Sequence, residues 1–448
     1  MYAAQSKNRI KNDRVQLYCV LYLVVWLLAP PLAYGTIYRL LAIVAAFVWL
    51  VLQLFNEVKF KKSEHRLREI NVYIFSMLIY IFAILLLEYF VKSISPFSVL
   101  ADNLTTYILL FVGYVAYVYG AEKRASDLKV ILYLIIALAV IFSLTSVFRS
   151  NEFYEYTRMA GGSTDKSEYI LAQKASAQGV GSFGFFCFTS ILAPITLWLF
   201  FDLKRRWLLI SFFIIEIGVI SAGYTLALMI SLIGAIVAFV IKSRSAFLKV
   251  LMVLLAIGII VFWDIIADLL YSFLYRITEG SFYHKKVIDI FAFLLEGESG
   301  DTFDARAIRY MHSLRSIFNY PFFGSLFLSG IRSSGYHSSI MDTFAVYGWP
   351  VGMIWFYLTV IAPYRIGRLT SKKTLLPAFI SALLCITIIF NRHVMPLAVF
   401  YFLTPACNAI VLRIKKEANN ENFMDNKCAV GKRRRTYRKC GIAKRYMD

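Results

Sequence analysis

Long apolar runs separated by short basic connectors fill most of this chain. A run of about 20 apolar residues crosses the hydrocarbon core of a bilayer as a helix. Read on that length, the pattern predicts helices at 15–34, 37–55, 70–91, 103–120, 129–148, 180–201, 207–222, 224–241, 249–270, 338–361, 374–390 and 394–412. That is about twelve spans, and the fold class is an all-α polytopic membrane protein. At Ala222-Gly223-Tyr224 two predicted helices meet with almost no loop between them.

The connectors set an expected orientation. Lys59, Lys61, Lys62, Arg66 and Arg68 follow the second predicted span, and Lys123, Arg124 and Lys129 the fourth. Lys204, Arg205 and Arg206 follow the sixth, Lys242, Arg244 and Lys249 the eighth, and Arg365, Arg368, Lys372 and Lys373 the tenth. Every even connector is basic, so the positive-inside rule places both termini in the cytoplasm. Residues 1–14 then form a cytoplasmic N-terminus and 413–448 a basic cytoplasmic tail that can touch anionic lipid. Two long connectors fall outside, one at about 149–179 and a larger one at 271–337, which is too polar to span.

Composition agrees. Of 448 residues 59% are hydrophobic and only 17% charged, below the share of a soluble chain. The net charge of +21 is spread between apolar runs, which excludes a nucleic-acid-binding domain. Four of the six cysteines lie in apolar runs and none forms a Cys-x-x-Cys pair, so neither a disulfide framework nor a metal site is expected.

Candidate chemistry concentrates in the large outer connector. Ala307, Met311, Leu314 and Phe318 recur at helical spacing, while Arg306, Arg309, Ser313 and Ser316 occupy the opposite arc. This is an amphipathic helix, with Asp304 placed to cap or precede its first turn, Pro321 to end it and Gly324 to turn the chain. Its expected seat is the membrane surface, apolar side down. Cations on the outer face run against the orientation rule, and an anionic ligand supplies the simplest reason for several of them. His337 follows a Gly/Ser-rich turn beside Arg332 and opens the next span. Glu216, midway along an apolar run, is expected in the bundle interior or in a functional role. Arg392 lies in the short turn facing the same side.

Arg306 opening an amphipathic helix, Pro321-x-x-Gly324 closing it, His337 starting a span and Tyr347-Gly348-x-x-x-Gly352 after it resemble the O-antigen polymerase and ligase superfamily. The likeness of architecture covers nearly the whole chain, and the motif about 50 residues of it. Family members often have His-Asn where this chain has His337-Ser338. Many ligases carry a Ser-Arg pair where it has Ser221-Ala222. The second departure favours a polymerase over a ligase.

The resemblance implies a bacterial cytoplasmic (inner) membrane enzyme that transfers glycan from a polyprenyl diphosphate carrier, without metal or other cofactor. Arg306, His337 and Glu216 are the catalytic candidates. Arg309, Arg332, His312, Tyr336, Arg392 and Arg158 are the substrate-binding ones. Implied partners are polyprenyl-diphosphate-linked oligosaccharides, membrane lipids, a chain-length regulator and a flippase. A ligase and a lipid-linked oligosaccharide flippase or other transporter stay open as alternatives.

Overall fold

The computed structural model describes residues 2–33, 35–55, 64–92, 103–122, 124–159, 166–222, 224–243, 245–247, 249–250, 254, 261, 263–279, 288, 301–325, 337–370, 374–391 and 395–411. Among them the chain is helical, with no strand. The helices are α1 (Tyr2–Leu28), α2 (Pro30–Ala33), α3 (Thr36–Phe55), α4 (Glu64–Lys92), α5 (Leu104–Glu122), α6 (Ala125–Met159) and α7 (Lys166–Ala177). They continue as α8 (Phe183–Leu203), α9 (Arg206–Ala222), α10 (Thr225–Lys242), α11 (Trp263–Thr278), α12 (Asp301–Asn319) and α13 (Ser339–Phe356). A π-turn (Tyr357–Ile361) joins α13 to α14 (Ala362–Thr370), and α15 (Leu375–Phe390) precedes a last helical stretch at 395–411.

Among the described residues five helical stretches are long and apolar enough to cross a membrane: Thr36–Leu54, Leu67–Phe90, Ala125–Arg149, Phe183–Leu203 and Ser339–Thr370. Four shorter apolar helices, Thr106–Glu122, Leu226–Lys242, Leu375–Phe390 and Pro396–Val411, pack with them. Helices satisfy their own backbone groups, which is what lipid demands. The chain therefore fits an all-α membrane protein. Its surface agrees, since Phe47, Phe75, Phe82, Ile210, Phe213, Ile233 and Ile236 all point outward. The interior is built on α8, whose apolar window is 83% buried, and on the fully buried Phe400, Tyr401, Phe402 and Leu403.

Polar ties mark the two ends of the bundle. At one end Arg124 donates to Asp127 at 2.6 Å and Gln16 at 3.1 Å, and Lys242 meets Asp202 at 2.7 Å. Arg365 meets Glu69 at 3.3 Å at the same end. From there α4 runs antiparallel to α13 and α14. Tyr80 stacks on Trp355 at 4.9 Å, and Tyr347 donates to Glu88 at 2.5 Å. Glu69 and Glu88 are 19 residues apart, about 28 Å along a helix, which is close to the thickness of the hydrocarbon core.

Several boundaries differ from the sequence expectation. The stretch 149–179 is helical for much of its length, because α6 runs on to Met159 and α7 follows. Trp263–Thr278 continues past residue 270 into the expected outer connector. Asp304 does not cap the amphipathic helix, which starts three residues earlier at Asp301. The predicted span 338–361 is not one straight rod. At Gly348 (φ 82°, ψ 176°) its first limb folds back on its second. Trp355 Nε1 donates to Ser339 Oγ at 3.0 Å across this bend, and Phe344 meets Trp349 edge-on. The division at Ala222 is as expected, with α9 ending there and α10 starting at Thr225.

Candidate functional site

The fold-back at Gly348 turns the start of α13 into the bundle, and α12 docks along that inward limb. Two glycines make the docking possible. Gly324 (φ +66°) and Gly348 (φ +82°) both sit in the left-handed region, where side chains are strained. A Cβ on Gly324 would lie 2.1 Å from the carbonyl oxygen of Val346, and one on Gly348 2.3 Å from that of Phe322. Each glycine is thus the gap through which the other strand passes. Trp349 N donates to the Pro321 carbonyl at 2.6 Å, its Nε1 to Ile317 O at 3.2 Å, and Ser325 N to Ala345 O at 2.9 Å. Backbone crossing backbone explains why Pro321-x-x-Gly324 and Tyr347-Gly348 occur together.

Asp342 holds the other end of the contact. Its carboxylate accepts from Ser313 Oγ of α12 at 2.7 Å and from Ser338 N at 3.0 Å. Ser338 Oγ in turn accepts from Met341 N at 3.0 Å, a reciprocal N-cap. The C-terminus of α15 closes the site, with Ser339 N donating to Asn391 O at 2.9 Å and Tyr310 Oη to Phe390 O at 2.7 Å. Asn391 Nδ2 reaches Cys187 Sγ of α8 at 3.9 Å.

These ties bring Arg309 and His337 together, with Arg309 Nη1 against His337 Nε2. A guanidinium only donates, so a hydrogen bond between them requires Nε2 to accept and the ring proton to sit on Nδ1. Both side chains are half-buried. They stand at the N-terminus of the inward limb, where the helix dipole adds positive potential. A fixed cation beside an imidazole suits a phosphate; the backbone N–H groups of Ser338, Ser339 and Met341 are already bonded within the fold.

The other candidates fall as follows. Arg306 lies on α12 one turn before Arg309; its side chain is outside the described residues. His312 is exposed, on a face of α12 turned away from α13. Arg158 is in the last turn of α6, again without a described side chain. Arg332, Tyr336 and Arg392 lie outside the described residues. Glu216 is buried, as expected, but its described bond ties it to α10: Ser231 Oγ donates to Oε2 at 2.5 Å, and Oε1 has no partner among the described residues. The described contacts do not join it to Arg309 or His337. The carboxylate on that network is Asp342, which sequence reasoning missed; an acid four residues after Ser338, at the start of a span, was the signal.

Asp342→Ala would remove the carboxylate that Ser313 Oγ and Ser338 N share and leave Ser313 Oγ only its long 3.5 Å bond to the Arg309 carbonyl among those described, at a cost of about 2 kcal/mol. The expected result is faster amide exchange confined to 309–320 and the first turn of α13, with Asp342→Asn intermediate. No protein-family model matches the chain, and no curated protein matches it.

Proposed function

We propose that the chain is a polymerase that joins polyprenyl-diphosphate-linked oligosaccharide repeat units into a surface polysaccharide. The observation that carries the reading is the Arg309–His337 pair at the start of the inward limb of α13. The reading takes the bundle as about twelve spans in a bacterial cytoplasmic membrane, with a large outer loop around α12. Arg124, Lys242 and Arg365 gather at the end opposite to this site. By the positive-inside rule that end is cytoplasmic, and the pair faces outward.

In the proposed reaction the donor diphosphate takes the place of His337 on Arg309, with Arg306 one turn away. The acceptor sugar hydroxyl of a second lipid-linked unit attacks the anomeric carbon. Its proton passes to the freed Nε2 of His337 as the new C–O bond forms. The anomeric C–O bond to phosphate breaks, and its electron pair leaves with polyprenyl diphosphate, whose growing charge Arg309 stabilises. Glu216 remains the alternative proton acceptor, and the donor is already activated, so no nucleotide sugar takes part. A flippase would supply the units and a chain-length regulator would limit the product.

Deleting the gene and resolving the surface glycan by electrophoresis tests the reading. Glycan limited to a single repeat unit is the expected result. Long chains retained on carrier lipid would instead mark a ligase, and units accumulating in the cytoplasm a flippase.

A further inference from the structure

Helix α12 has three faces, where a helix lying on a soluble surface has two. Successive residues turn by about 100° around the axis. Arg309, Ser313, Ser316 and Ile317 fall on one arc, and this is the docked face, with Ser313 and Ser316 buried. Met311, Leu314 and Phe318 form a second sector on the adjoining side, where Phe318 is 70% exposed. His312, Arg315 and Asn319, with the exposed Ile308 among them, form a third, mostly polar sector. The arc that packs on the protein is thus the polar one, and the apolar stripe is left facing outward. An apolar stripe that covers no core needs another neighbour.

The stripe does not end with the helix. Phe322, in the turn after it, is 73% exposed. On the second limb of α13, Trp349 and Met353 are 46% and 57% exposed. Those two belong to a stretch apolar enough to cross a membrane, so their outward neighbour is lipid. Trp349 is bonded to Ile317 and Pro321, which joins the two apolar surfaces into one. A guanidinium, an imidazole and an amide on the third sector match the phosphate-rich boundary beside that lipid.

We infer that α12 and the Pro321–Gly324 turn are seated in the bilayer edge: docked face on α13, Met311, Phe318 and Phe322 in acyl chains, His312 and Arg315 among lipid headgroups. The partner of this surface is the lipid bilayer and not another protein. The assignment is independent of the polymerase reading, since any helix of this pattern beside a span would be seated this way.

Photo-crosslinking in the native membrane tests it. Benzoylphenylalanine is placed in the full chain at 311, 318 or 322, and for comparison at 312 or 319; after irradiation the chain is analysed by mass spectrometry for lipid adducts. Acyl-chain adducts several-fold more abundant at the first three positions than at the other two are expected. Equal yields at both sets would overturn the inference, as would adducts at 318 and 322 to a second copy or to another protein. A variant that does not accumulate in the membrane is replaced by one at position 307, so that the apolar arc is still read.

Discussion

Gly348→Val is expected to remove folded, active protein from the membrane. Two penalties act at once. Gly348 combines φ 82° with ψ 176°, a region that only glycine populates without strain. A Cβ there would also meet the Phe322 carbonyl carbon at 2.5 Å as well as its oxygen, and neither atom can swing aside because both are backbone. About 3 kcal/mol or more is the combined cost. Relief requires α12 to leave the inward limb, which also separates Arg309 from His337. Gly324→Val acts from the other side of the crossing and is expected to do the same. Gly352→Ala is the informative contrast: its Cβ would meet Phe344 Cγ at 2.4 Å, so the Phe344 side chain must shift as a whole, but no backbone stands in the way and Gly352 has no positive φ. Thermal unfolding in detergent, with limited proteolysis around residue 320, should rank the variants Gly348→Val and Gly324→Val far below Gly352→Ala. Equal stability of all three would show that the crossing does not hold the fold.

The second large effect is on chemistry. On the proposed polymerase reading, Arg309→Ala should lower polymer formation by about 10²–10³-fold, the usual worth of a group that stabilises charge in the transition state. His337→Ala should cost about 10²–10⁴-fold as a lost general base. Arg309→Lys should recover little, since an ammonium cannot hold a diphosphate with two parallel bonds. The double variant should be hardly worse than the poorer single one, because the two side chains act as one unit. Glycan chain length in cells carrying each variant at equal expression measures this. Normal polymer from Arg309→Ala would remove the pair from the reaction.

The periodicity of apolar runs was enough to place most helices, because a backbone in lipid has no other way to satisfy its polar groups. It misread 338–361. Apolar side chains run through the bend, and hydropathy does not register a reversal of direction. Gly348 followed by Pro350 was the available signal, since these two residues punctuate helices. The amphipathic pattern of α12 was legible, but its polar arc does not face water, because the acceptor for Ser313 lies 29 residues on. Arg309 and His337 were both named from the sequence; that they touch depends on two glycines closing a backbone crossing, and no local pattern reports a crossing. The interior setting of Glu216 followed from the price of a charge in lipid, whereas Ser231 had nothing to announce it.

The π-turn at Tyr357–Ile361 sits between two fixed points, with Trp355 stacked on Tyr80 before it and Arg365 paired to Glu69 after it. A turn of this kind holds one surplus residue. Take that residue away from an ordinary α-helix and everything downstream swings by about 100°; here the wide turn absorbs it. The two ends of the rod are therefore keyed to α4 as by two separate screws, and the rotation that positions the Arg309–His337 end is set without disturbing the clamp at the opposite end.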